Sequence, residues 1–178
     1  MAAGALPSWA VVSPARLAHI ERVAALAQRW AGAMGVPAAE GARWLRAVWL
    51  HDALRDAPVA ELRRLAPDDP GNVELLHGPA AAERAAAEGE KDAGVLTAVR
   101  WHSVGHEAWD SVGRTLFCAD YLEPGRTFDR ERRAELAERF PAAPDEVFRA
   151  VLEARLLHTV RSGWPLLPST VRLWNSLR

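Results

Sequence analysis

Residues 38–54 have the sequence AAEGARWLRAVWLHDAL. Apolar side chains recur at three- and four-residue steps through Ala42, Leu45, Val48 and Trp49, which predicts an amphipathic helix with one buried face. The stretch then reaches His51-Asp52 directly after the apolar run Ala-Val-Trp-Leu. An unpaired imidazole or carboxylate at such a buried position would be costly. The pattern therefore predicts a helix whose end places two polar side chains in the interior, where each needs a polar or charged group to pair with.

Helical periodicity continues outward from this stretch in both directions. The predicted helices are 16–33, 38–54, 58–66, 79–88, 92–102, 111–122, 129–140, 144–162 and one that begins near residue 169. Residues 67–72 are predicted to form a loop. No segment of useful length alternates with a period of two, so we expect an all-α protein with essentially no sheet. We expect a single domain over 1–178, with its core at about 13–178 and residues 1–12 as a loose N-terminal extension.

Composition limits the classes of partner. A net charge of −1 gives no electrostatic footprint for nucleic acid or an anionic membrane. The start of the chain lacks the pattern of a signal peptide, and there is no run of about 18 apolar residues that would span a bilayer. Cys118 is the single cysteine, so no internal disulfide can form, which suits a reducing cytosol. We therefore expect a cytoplasmic protein.

Further polar residues of the ligand type lie beside apolar stretches, as His51 and Asp52 do. They are His19, His77, His102 and Asp120. Taken singly, each histidine is more often an ordinary core or surface residue, and we expect His106 and His158 to lie on the surface. Imidazole and carboxylate without thiolate form the ligand set of a catalytic iron, manganese or zinc site rather than of a structural zinc finger. Adjacent helical residues point about 100° apart, so His51-Asp52 can serve two metals only if one side chain, most simply the carboxylate, bridges them.

The order His19, His51-Asp52, His77, His102, Asp120 resembles the H…HD…H…H…D pattern of the HD-domain superfamily of metal phosphohydrolases. Three local sequences are similar to motifs of the YqeK-type symmetrical diadenosine tetraphosphate hydrolases: 75–79, LLHGP; 98–103, AVRWHS; and 119–126, ADYLEPGR. The C-terminal 168–171 and Asn175 also fit that family. The resemblance covers roughly 13–178 and implies a single HD-domain helical bundle.

The resemblance also implies a cofactor and a reaction. It implies two metal ions, iron with manganese as the alternative, the first held by His19, His51, Asp52 and Asp120 and the second by His77 and His102, with Asp52 bridging and acting as the catalytic residue. It implies attack of a metal-activated hydroxide on phosphorus, which splits diadenosine tetraphosphate into two ADP. The expected substrate-binding residues are Arg16, Arg55, Ser103, Arg114, Arg126 and Thr170. The chain departs from the family at Leu54-Arg55 (Ala-Lys in the family), Val104 (Thr) and Arg114 (Lys).

Three other functions are open at this point. The chain could be an HD phosphohydrolase acting on a nucleoside mono-, tri- or cyclic phosphate, an HD-type di-iron oxygenase, or a metal-binding regulatory module without turnover. The expected partner is a small-molecule nucleotide, with no nucleic acid and no membrane, and a homodimer is left open.

Overall fold

The computed structural model describes residues 4–67 and 72–177. Within those ranges the chain forms nine α-helices and one 3₁₀ turn, Val73–Leu75, and it contains no strand, which confirms the all-α prediction. The helices are α1 Pro14–Ala33, α2 Ala38–His51, α3 Val59–Leu65, α4 His77–Ala87, α5 Ala93–Trp101, α6 Ser111–Leu122, α7 Arg130–Arg139, α8 Pro144–Arg161 and α9 Pro168–Ser176. None of them is both long and apolar enough to cross a lipid bilayer.

The largest boundary difference is at the end of α2, which stops at His51 instead of continuing to residue 54. Asp52 leaves the helical conformation (φ −110°, ψ 14°), and turns follow it. Ala53 and Leu54 nevertheless stay buried, so the apolar pattern runs on past the end of the helix. Because buried residues continue beyond the end of the helix, the apolar pattern predicted too long a helix. Most of the predicted loop, residues 68–71, lies outside the described residues.

The N-terminal segment differs from the loose extension that we expected. Leu6, Trp9 and Val12 pack against the hydrophobic core. The backbone N–H of Val11 donates to the carbonyl of Ala53 at 2.7 Å, and the N–H of Asp56 donates to the carbonyl of Val11 at 3.2 Å. Apolar side chains at three-residue spacing therefore attach residues 6–12 to the turn that follows α2.

The helices that matter most for the site pack around one interior. α1, α2, α5 and α6 contact one another in most pairings, α4 packs on α2 and α5, and α8 packs on α6. The core includes the fully buried Ile20, Trp30, Leu116 and Phe117. As a result, the ends of α2 and α5, the start of α4 and the inner faces of α1 and α6 meet at one place.

Gly78 allows the close approach of α4 to α5. A Cβ atom at this position would lie 2.9 Å from the carbonyl oxygen of Arg100, 3.0 Å from that of Val99 and 3.2 Å from Cε1 of His102. Backbone carbonyls cannot move aside as the end of a flexible side chain can. The glycine therefore sets the distance between His77, which precedes it, and His102.

We predict that Gly78→Ala lowers the free energy of unfolding by about 1–3 kcal/mol, because the added methyl group overpacks against backbone. Urea denaturation measures this change. Gly41→Ala is the matched control: it also adds a methyl group inside a helix, but its Cβ would meet only Ala31 Cβ at 3.8 Å. That substitution should be neutral or stabilise by up to about 1 kcal/mol. Equal stability of Gly78→Ala and the wild type would contradict the packing argument.

Candidate metal centre

The six predicted ligands meet in the interior as two groups. His19, His51 and Asp120 form one group, and Asp52, His77 and His102 form the other. Within each group the ligand-type atoms lie within 4.8 Å of one another, and all six side chains are buried. We call these six residues the HD cluster. Five helices supply it, α1, α2, α4, α5 and α6, so these helices have to pack together before the cluster exists.

Asp52 lies between the two groups. Its Oδ1 is 3.2 Å from Nε2 of His77 and 3.6 Å from Nε2 of His102. Its Oδ2 is 3.5 Å from Nε2 of His51 and 3.8 Å from Nε2 of His19. The departure of Asp52 from helical geometry allows this orientation, because the residue caps α2 rather than extending it. One carboxylate therefore presents one oxygen to each group.

Hydrogen bonds at the far side of each ring orient the four imidazoles. In three of them, Nδ1 donates to the backbone carbonyl three residues earlier: His51 to Val48 (2.7 Å), His77 to Glu74 (3.0 Å) and His102 to Val99 (2.8 Å). A carbonyl oxygen only accepts, so Nδ1 carries the proton and the lone pair of Nε2 points into the cluster. Such hydrogen bonds fix the tautomer and ring orientation of metal-ligating histidines.

The fourth imidazole, His19, is held by Glu123. Nδ1 of His19 lies 3.1 Å from Oε1 of this buried glutamate, which also accepts from Nε of Arg22 at 2.5 Å and from the backbone N–H of Gly125 at 2.6 Å. Burial alone would raise the pKa of Glu123, but the hydrogen bonds from His19, Arg22 and Gly125 lower it to about 2. Our sequence analysis missed this residue, although it begins the Glu-Pro-Gly-Arg sequence in which we singled out only Arg126.

The arrangement of donor atoms fits metal ions. Nε2 of His77 and Nε2 of His102 are 3.1 Å apart, and both are lone-pair positions if Nδ1 holds the proton. Nε2 of His51 is buried without a hydrogen-bond partner among the described residues. Buried polar atoms normally have a partner. A cation within each group would satisfy these nitrogens and the two carboxylates together, so the residues fit two metal ions with nitrogen and oxygen ligands.

The ionisation of His51 and of the two carboxylates also suits metal binding. Burial lowers the pKa of His51 to about 4, which keeps this imidazole neutral near pH 7. Burial acts to raise the pKa of Asp52, but its imidazole neighbours, His51 foremost, outweigh burial and hold that pKa well below its usual value. Asp120 behaves similarly, with His19 as the main opposing group. Neutral imidazoles and ionised carboxylates are the forms that bind metal.

A cavity of about 850 Å³ opens onto the HD cluster. Five arginines line it: Arg16, Arg55, Arg126, Arg133 and Arg155. Among the described residues, three carboxylates line it: Asp52, Glu74 and Asp120. The excess of cationic groups suits an anionic ligand, even though the whole chain carries a net charge of −1.

Five of the six predicted substrate-binding residues line this cavity. Arg16 donates to Oδ2 of Asp52 at 2.7 Å, and Arg126 donates to Oδ1 of Asp120 at 2.6 Å. Arg55 donates to the carbonyl of Glu74 at 3.0 Å, beside His77. The other two are hydroxyl residues: Ser103 Oγ lies 3.0 Å from Nε2 of His102, and Thr170 Oγ1 donates to the carbonyl of Val104 at 2.7 Å.

Arg114, the sixth, lies away from the cavity. Its guanidinium pairs with Asp145 at 2.9 Å and lies over the ring of Phe148. Six residues separate Arg114 from Asp120, which is about 600° of rotation along α6, or a third of a turn away from the face that carries Asp120. The expectation that Arg114 binds substrate is therefore corrected, because it rested on charge and ignored the direction of the side chain.

Two cavity arginines were missed in the sequence. Arg155 of α8 lies over Phe117 and 3.5 Å from Oδ2 of Asp120. It interrupts the apolar stripe of α8 between Leu152 and Leu156, and that interruption was the available signal. The guanidinium of Arg133 lies 4.0 Å from the ring centre of Tyr121 and 3.9 Å from that of Phe128.

Comparison with known proteins gives one family and several relatives. The family model described as HD domain matches residues 16–125, which contain all six members of the HD cluster. Three relatives carry the name "Bis(5'-nucleosyl)-tetraphosphatase, symmetrical": those of Halalkalibacterium halodurans (30% identical over 109 residues, 58% of this chain and 55% of the relative), Bacillus subtilis (28% over 113 residues, 60% and 56%) and Staphylococcus aureus (42% over 55 residues, 30% and 28%). The matched region therefore spans little more than half the length of the relatives from Halalkalibacterium halodurans and Bacillus subtilis.

A solved structure shows the same fold. The crystal structure of a "predicted HD superfamily hydrolase involved in NAD metabolism" from Clostridium acetobutylicum superposes with a TM-score of 0.80 at 23% identity, over 93% of this chain and 90% of that one. At this identity the likeness concerns the arrangement of the helices.

We predict that the wild-type protein binds about two metal ions per chain, one for each group of the cluster, and that Asp120→Ala binds about one. Asp120→Ala removes the carboxylate that belongs to the group with His19 and His51, where Oδ2 of Asp52 would remain as the shared ligand, and it leaves the other group intact. Elemental analysis after loading with manganese and desalting measures the content. Asp145→Ala, which removes a carboxylate paired with Arg114 away from the cavity, is the control and should keep both ions. Loss of metal in both variants, or in neither, would contradict the assignment of Asp120.

Proposed function

Because the chain belongs to the HD domain family, we propose that it is a metal-dependent phosphohydrolase that cleaves diadenosine tetraphosphate symmetrically into two ADP. One observation carries the proposal: two groups of buried imidazoles and carboxylates, with Asp52 between them, open into a cavity that five arginines line. A pocket with this charge suits a polyphosphate, and the names of the three relatives support a dinucleoside tetraphosphate as the substrate.

We propose that His19, His51 and Asp120 hold one metal ion, that His77 and His102 hold the other, and that Asp52 binds both. Iron is the proposed metal, with manganese as an alternative that the same ligands accept. When bound, such ions polarise a phosphate oxygen and lower the pKa of a water molecule toward about 7, the chemistry that hydrolysis of a phosphoanhydride needs at neutral pH.

The chain's own residues would orient the substrate and neutralise its charge. Arg16 and Arg126 each lie within hydrogen-bond distance of a candidate metal ligand, so a phosphate next to the cluster would be within their reach. Arg55 extends the cationic wall beside His77. Charge-assisted hydrogen bonds from arginine to phosphate oxygens are among the strong polar interactions of proteins, and they lower the energy of a transition state whose charge resides on those oxygens.

The rest of the cavity suits a nucleoside. Leu152, Leu156 and Leu167 form an apolar part of the wall, and Phe128 and Trp164 add aromatic rings. Ligand sites generally combine such an apolar lining with a few converging polar groups. One ADP half of the substrate would place its phosphates on the cluster and its base against this lining.

We predict that metal-loaded protein converts diadenosine tetraphosphate to ADP as the only nucleotide product, because attack at the phosphorus of one ADP half leaves the other half as ADP. Separation of the products by anion-exchange chromatography tests this. In water enriched in heavy oxygen, one ADP per turnover should carry the label on its terminal phosphate. ATP with AMP would reject symmetrical cleavage, and oxygen consumption without phosphate chemistry would favour an oxygenase.

A set of matched variants tests the assigned roles. Asp52→Asn should lower kcat by at least about 100-fold, because it removes a charged ligand shared by both groups. Arg126→Ala should mainly raise KM, because its contact with phosphate exists in the ground state as well as in the transition state. Arg114→Ala is the control and should leave both constants unchanged, since Arg114 lies outside the cavity. A near-normal kcat in Asp52→Asn would refute the metal mechanism.

A further inference from the structure

Arg155 differs from Arg16, Arg55 and Arg126, which also line the cavity and each donate to a carboxylate at 3.0 Å or less. Its guanidinium carries five N–H donors, yet among the described residues it makes a single hydrogen bond, from Nη2 to the carbonyl of Ser103 at 2.8 Å. The nearest carboxylate oxygen, Oδ2 of Asp120, lies 3.5 Å from Nη1. By contrast, Arg16 and Arg126 bind carboxylates at 2.7 and 2.6 Å. Arg155 therefore keeps donors that no described residue pairs.

The position is costly for a cation. The guanidinium lies 4.4 Å from the ring centre of Phe117, and the side chain is only 24% exposed, toward the cavity. Burial lowers the pKa of Arg155, although Asp120 opposes that effect. A buried charge with unpaired donors lowers stability unless an anion complements it. Asp120 supplies one anion at 3.5 Å. A further anion that accepted from the remaining donors would arrive from the cavity, which Arg155 lines.

Asp120 indicates where that anion would lie. Oδ1 of Asp120 faces His19, at 3.1 Å from its Nε2, and also faces Arg126, whereas Oδ2 faces Arg155. A phosphate bound at the His19–His51–Asp120 group would thus meet Arg155 at the same carboxylate. Phe117 and the carbonyl of Ser103 already fix the planar guanidinium, so little further side-chain entropy would be lost when it binds.

We propose that Arg155 is a substrate-binding residue that holds a phosphate oxygen of a polyphosphate beside Asp120 through the donors that the fold leaves unpaired. This rests on the proposed phosphohydrolase function and adds a cation that the six expected substrate residues did not include. Arg133 cannot take this role in the same way, because Tyr121 and Phe128 cover its guanidinium and two of its nitrogens are buried.

The test is calorimetric titration of manganese-loaded protein with inorganic tripolyphosphate, which measures binding without turnover. Arg155→Met should bind tripolyphosphate about 10- to 100-fold more weakly, the range expected for the loss of hydrogen bonds between charged groups. Arg155→Gln, which removes the charge but keeps a polar side chain, should show a similar loss and carries the test if Arg155→Met does not fold. Arg114→Gln is the matched control for the loss of one positive charge on the protein and should bind as the wild type does.

Metal content and turnover are measured on the same samples, so loss of phosphate binding can be distinguished from loss of metal. If the Arg155 variants keep both metal ions and lose tripolyphosphate affinity, the proposal stands, even if the wild type fails to hydrolyse diadenosine tetraphosphate and the proposed substrate is rejected. If they lose metal in proportion to affinity, Arg155 only positions Asp120 and the proposal is overturned. Wild-type affinity in both Arg155 variants, or no measurable binding by the wild type, overturns it as well.

Discussion

A buried carboxylate between four imidazoles is the constraint on which the rest of this structure depends. Asp52 is 4% exposed, and each of its oxygens faces a different pair of histidines. Removing a carboxylate from water is unfavourable unless cations or hydrogen bonds replace the water. Burial and the neighbouring imidazoles act in opposite directions on the pKa of Asp52, and the imidazoles prevail. The site is therefore built to keep this group ionised in the interior, which is the state that a metal ligand needs.

Much of the bundle serves to hold that arrangement. Three imidazoles are oriented by carbonyls one turn earlier in their own chain segments, so those ligands are preorganised by local backbone. His19 has no such carbonyl and depends on Glu123, more than a hundred residues away. The tight contact of α4 with α5 at Gly78 brings His77 and His102 within 3.1 Å. In metal sites, contacts of this kind orient the ligands, and their loss typically lowers metal affinity or activity by about 10- to 100-fold.

The cavity adds a second layer of charge around the cluster. Its arginines differ in how strongly the fold pairs them: Arg16 and Arg126 bind candidate metal ligands, Arg55 binds the chain near Glu74, and Arg155 is held mainly by an aromatic face and one carbonyl. Arginines that exchange a short hydrogen bond to a protein carboxylate for one to a phosphate oxygen lose part of what they gain. Arg155, whose nearest carboxylate oxygen is 3.5 Å away, would lose less. For this physical reason, we propose different roles in substrate binding for the arginines of the cavity.

The helices and the identity of the six cluster residues can be predicted from the amino-acid pattern alone. Apolar side chains at helical spacing indicate which face of a helix is buried. Imidazoles and carboxylates beside those faces are costly to bury unless a cation or a hydrogen bond pairs them. The same reasoning failed where buried residues are not helical: residues 53 and 54 are buried in a turn, and residues 6–12 pack on the core without forming a helix.

The amino-acid pattern also could not decide which of Arg114 and Arg155 faces the cavity. Both are arginines on helices that border the site, and only the packing of α6 against α8 directs one to Asp145 and the other to the cavity. Glu123 reaches His19 only once α1 and α6 have packed together. The local sequence determines which residue types occur and with what spacing. The direction of a side chain relative to a distant helix is determined only when the helices pack together.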